Sequence, residues 1–140
     1  MPQALPFPIR KECPPGACVC GRDELLDAWD REPQTDIRVL RLTREQERDL
    51  LLRIEAIASY AELNHLEQRL LDNLGVVLRI IPSARGVRSV HGLSIKLDHC
   101  PGLCRRTREN VPAAIRRCLG QRPEIVYALL NARDLLGEQS

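Results

Sequence analysis

Residues 43–75, TREQERDLLLRIEAIASYAELNHLEQRLLDNLG, form the longest stretch of this 140-residue chain that is nearly free of glycine and proline. Thr43 followed by Gln46 is a capping-box signature for a helix start. Leu50, Ile54, Ile57, Ala61, Leu63, Leu66, Leu70 and Leu74 then recur at three- and four-residue steps, broken by one two-residue step. That spacing lines an apolar stripe along a helix, and Gly75 is a natural terminator. The spacing predicts one long helix. Thirty-one residues is long for a globular helix, and Ser59–Asn64 is the place for a kink or a break.

The flanking sequence supplies short strands and further helices. DELLDAWD reads as a helix with Asp23 as N-cap and Leu25, Leu26 and Trp29 on one side. IRVLRL, residues 37–42, alternates apolar with basic as a half-buried strand does. VVLRIIP (76–82) and VRSVHGLSIKL (87–97) flank the turn SARG as a hairpin, with Val90–Leu97 the stronger half of the second strand. NVPAAIRRCLG has Asn110 as N-cap, Pro112 early and Gly120 as C-cap; RPEIVYALLNARDLLG begins at Pro123 and ends at Gly137. The expected fold is α+β: a small antiparallel sheet of about three strands, packed against one long helix and two C-terminal helices. Residues 1–22, with five of the ten prolines, form an irregular arm, and residues 23–140 form a single domain.

Composition narrows the function. Only Phe7, Trp29, Tyr60 and Tyr127 are aromatic, so the core rests on Leu, Ile, Val and Ala, and a base-stacking platform for single-stranded nucleic acid is disfavoured. No run approaches the roughly 20 apolar residues of a membrane span, and the N-terminus lacks a secretory pattern. The expected location is cytoplasmic, where thiols stay reduced and clustered cysteines serve metal or redox chemistry more often than disulfides.

Five of the six cysteines fall in two Pro-Gly loops. Cys13, Cys18 and Cys20 form C-x4-C-x-C in the arm; Cys100 and Cys104 form C-x3-C in DHCPGLCRR. Each loop has a Cys-Pro pair and a glycine two residues before a cysteine, so the backbone turns tightly and its N–H groups face sulfur. Amide donors and a following helix N-terminus favour thiolate, the form that binds metal. The spacing is neither the paired C-x2-C of zinc ribbons nor the C-x2-C-x2-C run of ferredoxins. The expected ligands are Cys13, Cys18, Cys20 and Cys104, with Cys100 as the alternative fourth, around zinc or an iron–sulfur cluster. Cys118, mid-helix beside Leu119, reads as a small buried hydrophobe. His99 adjoins Cys100, while His65 and His91 belong to no cluster.

Charge is distributed unevenly. Between Arg79 and Arg122 ten Arg/Lys stand against Asp98 and Glu109, in a chain of formal net charge +2. Arg105, Arg106, Arg108, Arg116 and Arg117 form a candidate surface for nucleic acid or another anionic partner; the alternative is a solvated face turned to the acidic half of the same chain or of a second copy. The last two helices have helix-turn-helix lengths, but EIVYALLNARDLL is too apolar for a recognition helix and reads as core or dimer face. No Ser/His/Asp set, phosphate loop or isolated carboxylate pair points to catalysis. Three readings stand: a non-enzymatic metal- or cluster-binding accessory or regulatory protein, a nucleic-acid-binding regulator with a structural metal, and a helical interaction module without metal.

Overall fold

The structure, a computed structural model, describes residues 5–11, 21–82 and 92–137. Five helices and one antiparallel ribbon make an α+β fold: α1 (Arg22–Arg31), α2 (Arg44–Glu55), α3 (Tyr60–Leu74), β1 (Leu78–Pro82), β2 (Leu93–Leu97), α4 (Arg105–Gln121) and α5 (Pro123–Gly137).

The expected long helix is two. Thr43 caps α2 as read, its hydroxyl accepting from the Gln46 N–H at 3.3 Å. Ser59 opens α3 in the same way, accepting from Glu62 N–H at 3.2 Å, while the Glu62 carboxylate accepts from Ala58 N–H at 2.6 Å. A serine followed three residues later by glutamate is itself a capping signature, and it outcompetes continuation of the helix. Gly75 ends α3 in the left-handed region at φ 69°.

The expected third strand is absent among the described residues. Residues Arg38–Arg41 form a 3₁₀ turn, with Leu40 N–H bonded to Ile37 O and Leu42 N–H to Val39 O. Ile37, Val39, Leu40 and Leu42 are all buried, so the side chains do not alternate between two faces. The Asp36 carboxylate starts the curl by accepting from the Arg38 backbone N–H at 3.0 Å and side-chain Nε at 2.9 Å. Arg38 then reaches the end of α3, donating to Asp72 O at 2.8 Å. A methyl on Gly75 would stand 2.7 Å from Asp36 Oδ2, so this ion pair lies directly over the helix end.

β1 and β2 pair with Leu78 opposite Leu97, Ile80 opposite Ile95 and Pro82 opposite Leu93. Their inward residues are buried and Arg79, Ile81, Ser94 and Lys96 face outward, as period-two patterning requires. Both strands are shorter than read, and residues 83–91 of the expected hairpin lie outside the described residues.

α4 is the central helix, packed against α2 on one side and β2 on another, with α5 against α3 and α4. It begins at Cys104 rather than Asn110. Thr107, Val111, Ala114, Ile115, Cys118 and Leu119 are buried on one continuous face, and that burial carries the helix through Pro112. Gly120 lies inside it, and Arg122 is the C-cap. α5 starts at Pro123 and buries Ile125, Val126, Leu129 and Leu130, a core helix as its composition implied. In α1 the N-cap is Gly21, not Asp23. Of the arm, Phe7 and Ile9 pack partly on the core, with the Arg41 guanidinium 5.3 Å above the Phe7 ring.

Candidate metal centre

Cys100, Pro101, Gly102 and Leu103 make a type II turn. Leu103 N–H bonds Cys100 O at 3.1 Å, proline takes the second position and Gly102 the third at φ 89°. The turn is pressed onto the core: a methyl on Gly102 would meet Leu25 Cδ2 and Val39 Cγ1 at 2.9 Å each. Cys104 follows as N-cap of α4 and is buried, its carbonyl accepting from Arg108 N–H at 3.1 Å. Cys100 is half-buried.

The end of the first cysteine loop meets this turn. Gly21, next in sequence to Cys20, is the N-cap of α1 at φ 75°. A methyl placed on it would lie 3.9 Å from Gly102 N and 3.9 Å from Pro101 Cα. The start of the loop is anchored nearby: Arg10 N–H bonds Leu40 O at 2.7 Å, and Arg22 Nε donates to Arg10 O at 2.9 Å. Thus the chain on either side of residues 12–20 is tied together at one place. Cys13, Cys18 and Cys20 themselves lie outside the described residues, as does His91. Among the described residues no group of three or more His, Cys, Asp or Glu side chains is placed to hold a metal ion.

The electrostatics around Cys100 are mixed. Burial raises its thiol pKa above the ordinary value, the Asp36 charge adds to the rise and the Arg108 charge opposes it. Asp36 is itself engaged by Arg38 through two bonds of 2.9 Å. Arg108 is different: its Nε is buried with no hydrogen-bond partner among the described residues. Cys118 has the structural role read for it, its thiol donating to Ile57 O at 3.3 Å in the core.

The other candidates are dispersed. Arg105 pairs with Glu109 at 3.1 Å, Arg117 approaches Glu55 at 3.9 Å, and Arg116 donates to Leu93 O at 3.1 Å. Arg79 binds Asp98 at 2.8 Å, and Arg106 is exposed. Several of the basic-half arginines therefore face acids or carbonyls of the same chain. α4 and α5 are joined by Arg122 alone, too short for the turn of a helix-turn-helix. His99 is exposed, and His65 lies on the wall of an open cleft of about 1060 Å³ between α2 and α3. That cleft has a leucine-lined floor, and both signs of charge line it, with Asp49 and Glu62 beside Arg53 and Arg69. The cleft has no sequence signal, because a kink or break near Ser59 does not encode how the two helices are set against each other.

No described helix is long and apolar enough to cross a membrane. Comparison with known proteins finds no matching family model, no matching curated protein and no matching solved structure.

Proposed function

We propose that this chain is a non-enzymatic metal- or iron–sulfur-binding accessory or regulatory protein whose two cysteine loops share one ion or cluster. The observation that supports the reading is the approach of Gly21 to the second loop, where a methyl built on it would lie 3.9 Å from Pro101 Cα and Gly102 N. Gly21 is the residue that follows Cys20 in the sequence, and the turn it approaches carries Cys100 and leads into Cys104. The proposed ligands are Cys13, Cys18, Cys20 and Cys104, with Cys100 as the alternative fourth. Four thiolates suit either zinc or an iron–sulfur cluster. A closed set of four protein ligands leaves no position for a reacting water, which fits a structural or regulatory centre rather than hydrolysis. Binding requires each ligand thiol to give up its proton to solvent, so affinity weakens as the pH is lowered. The reducing cytoplasm is the compartment in which such a site would stay unoxidised.

Elemental analysis and visible absorbance of anaerobically purified protein test the reading. Wild type is expected to carry metal in simple stoichiometry. Cys18→Ser, Cys20→Ser and Cys104→Ser are expected to lose it, and Cys118→Ser to keep it. Wild type without metal, or equal content in all four variants, overturns the proposal.

A further inference from the structure

α2 and α3 follow each other through residues 56–59, yet they do not close on each other. α2 packs on α4, while α3 packs on α5, β1 and the 3₁₀ turn, with no comparable packing between the two. The open cleft of about 1060 Å³ between them is lined along both helices, from Thr43 to Ala56 and from Ala61 to Leu74. Its floor is the leucine stripe: Leu66 and Leu70 are buried, Leu50 and Leu74 half-buried. Leu52 is 60% exposed, three residues after Asp49 and four before Ala56, both on the α2 wall. Consecutive elements commonly bury such stripes against each other. Here the stripe is left uncovered among the described residues.

The charges on the two walls are complementary in sign. Running toward the linker, α2 presents Glu45, Asp49 and then Arg53; running away from it, α3 presents Glu62, His65 and then Arg69. At a rise of about 1.5 Å per residue, Glu45 is level with Arg69, Asp49 with His65 and Arg53 with Glu62. All six are exposed, and none enters an ion pair among the described residues. Within the chain the open cleft keeps these walls apart. A two-fold axis running along the cleft sets α2 of one copy over α3 of the other at the same levels. Each acid then meets a base, and every such pairing occurs twice. An unrelated helix would need that pattern by coincidence, whereas a second copy carries it by construction.

We propose that the α2–α3 cleft is a self-association surface on which a second copy of this chain docks, α2 of each over α3 of the other. Covering the leucine floor and Leu52 supplies the affinity. The charges fix register and exclude wrong orientations, with Glu45 opposite Arg69 of the partner subunit. This inference does not depend on the metal-binding reading.

Sedimentation equilibrium of the full chain under reducing conditions, across a range of concentrations, tests it. Wild type is expected to approach twice the 15.9 kDa chain mass. Glu45→Arg or Arg69→Glu alone sets like charges opposite each other at two places, and each is expected to weaken dimerisation about tenfold or more. Leu52→Glu is expected to weaken it as well, and Arg106→Glu, which does not line the cleft, to match wild type. The double variant Glu45→Arg/Arg69→Glu is expected to recover dimerisation. Mixing the two single variants is the sharper arm, because the mixed dimer holds one wild-type pair and one reversed pair. It is expected to form where neither variant dimerises alone. Charges that met only within one chain would let the double variant recover but not the mixture. Circular dichroism checks that each variant keeps its helices, and Arg69→Glu alone carries the test should Glu45→Arg not fold. A wild type that stays monomeric, single variants that dimerise like wild type, an equal loss in Arg106→Glu, or a mixture that gains nothing overturns the proposal.

Discussion

The four helix starts at α1, α2, α3 and α4 fall into two kinds. At α2 and α3 a side-chain hydroxyl takes up a free backbone donor: Thr43 accepts from Gln46 N–H and Ser59 from Glu62 N–H. At α1 and α4 the caps are Gly21 and Cys104, and neither makes a side-chain capping bond. The second pair also differs in place, because Gly21 sits against the turn that precedes Cys104. Helix N-termini leave up to four N–H groups without intrahelical partners and carry partial positive charge. The first pair spends one of these on each hydroxyl; the second pair starts near the Cys100–Leu103 turn with no side-chain cap. The difference teaches that α2 and α3 are finished locally by hydroxyls, while α1 and α4 start without a side-chain cap near the Cys100–Leu103 turn.

If the proposed centre binds an ion, removing it is the largest test of that contrast. At free ion a thousandfold above Kd, binding to the folded chain alone contributes about 4 kcal/mol. Adding a chelator is therefore expected to lower the melting temperature strongly in wild type, and to the same extent in Thr43→Ala and Ser59→Ala. Cys104→Ser is expected to melt identically with and without chelator.

The two glycines separate backbone strain from packing. Gly102→Ala meets both a φ of 89° and contacts of 2.9 Å with Leu25 and Val39; it is expected to cost about 2–3 kcal/mol in urea unfolding. Gly21→Ala keeps its nearest neighbour at 3.8 Å and meets only the positive φ of 75°, an expected cost of about 1 kcal/mol. Equal losses would show that the turn is not pressed onto α1 and the 3₁₀ turn. At the ordinary helix starts, Thr43→Ala and Ser59→Ala are each expected to cost about 1 kcal/mol, with metal content unchanged.

The smallest expected effect lies at the end of α3. Hydrogen bonds from Arg38, together with its charge, hold the Asp36 carboxyl below the ordinary aspartate range, against an opposing contribution from burial. A depressed carboxyl contributes stability above that range and loses it as pH falls through the folded value. Asp36→Asn is therefore expected to flatten the acid limb of the stability–pH profile slightly. An unchanged acid limb would show that the exposed pair contributes nothing there.

The sequence made some of this visible. Period-two burial announced β1 and β2, Thr43 and Gly75 announced helix ends, and Pro123 announced α5, because each is a local signal with a local cause. The breaks came where two signals competed. Ser59 with Glu62 ended a helix that the leucine spacing would have continued. Asn110 and Pro112 resembled a helix start, but burial of Thr107 and Val111 set the start at Cys104. IRVLRL alternated like a strand, yet Asp36 and the distant end of α3 curled it through Arg38. At the candidate centre, Pro101 and Gly102 foretold the tight turn after Cys100. That Gly21 lies near Gly102 depends on packing across eighty residues that spacing does not encode.

The most direct measurement is metal-edge X-ray absorption on the anaerobically purified wild-type chain. A shared centre predicts a first shell of four sulfurs, at about 2.3 Å if the metal is zinc. A shell of nitrogen and oxygen, or no bound metal to measure, would contradict it.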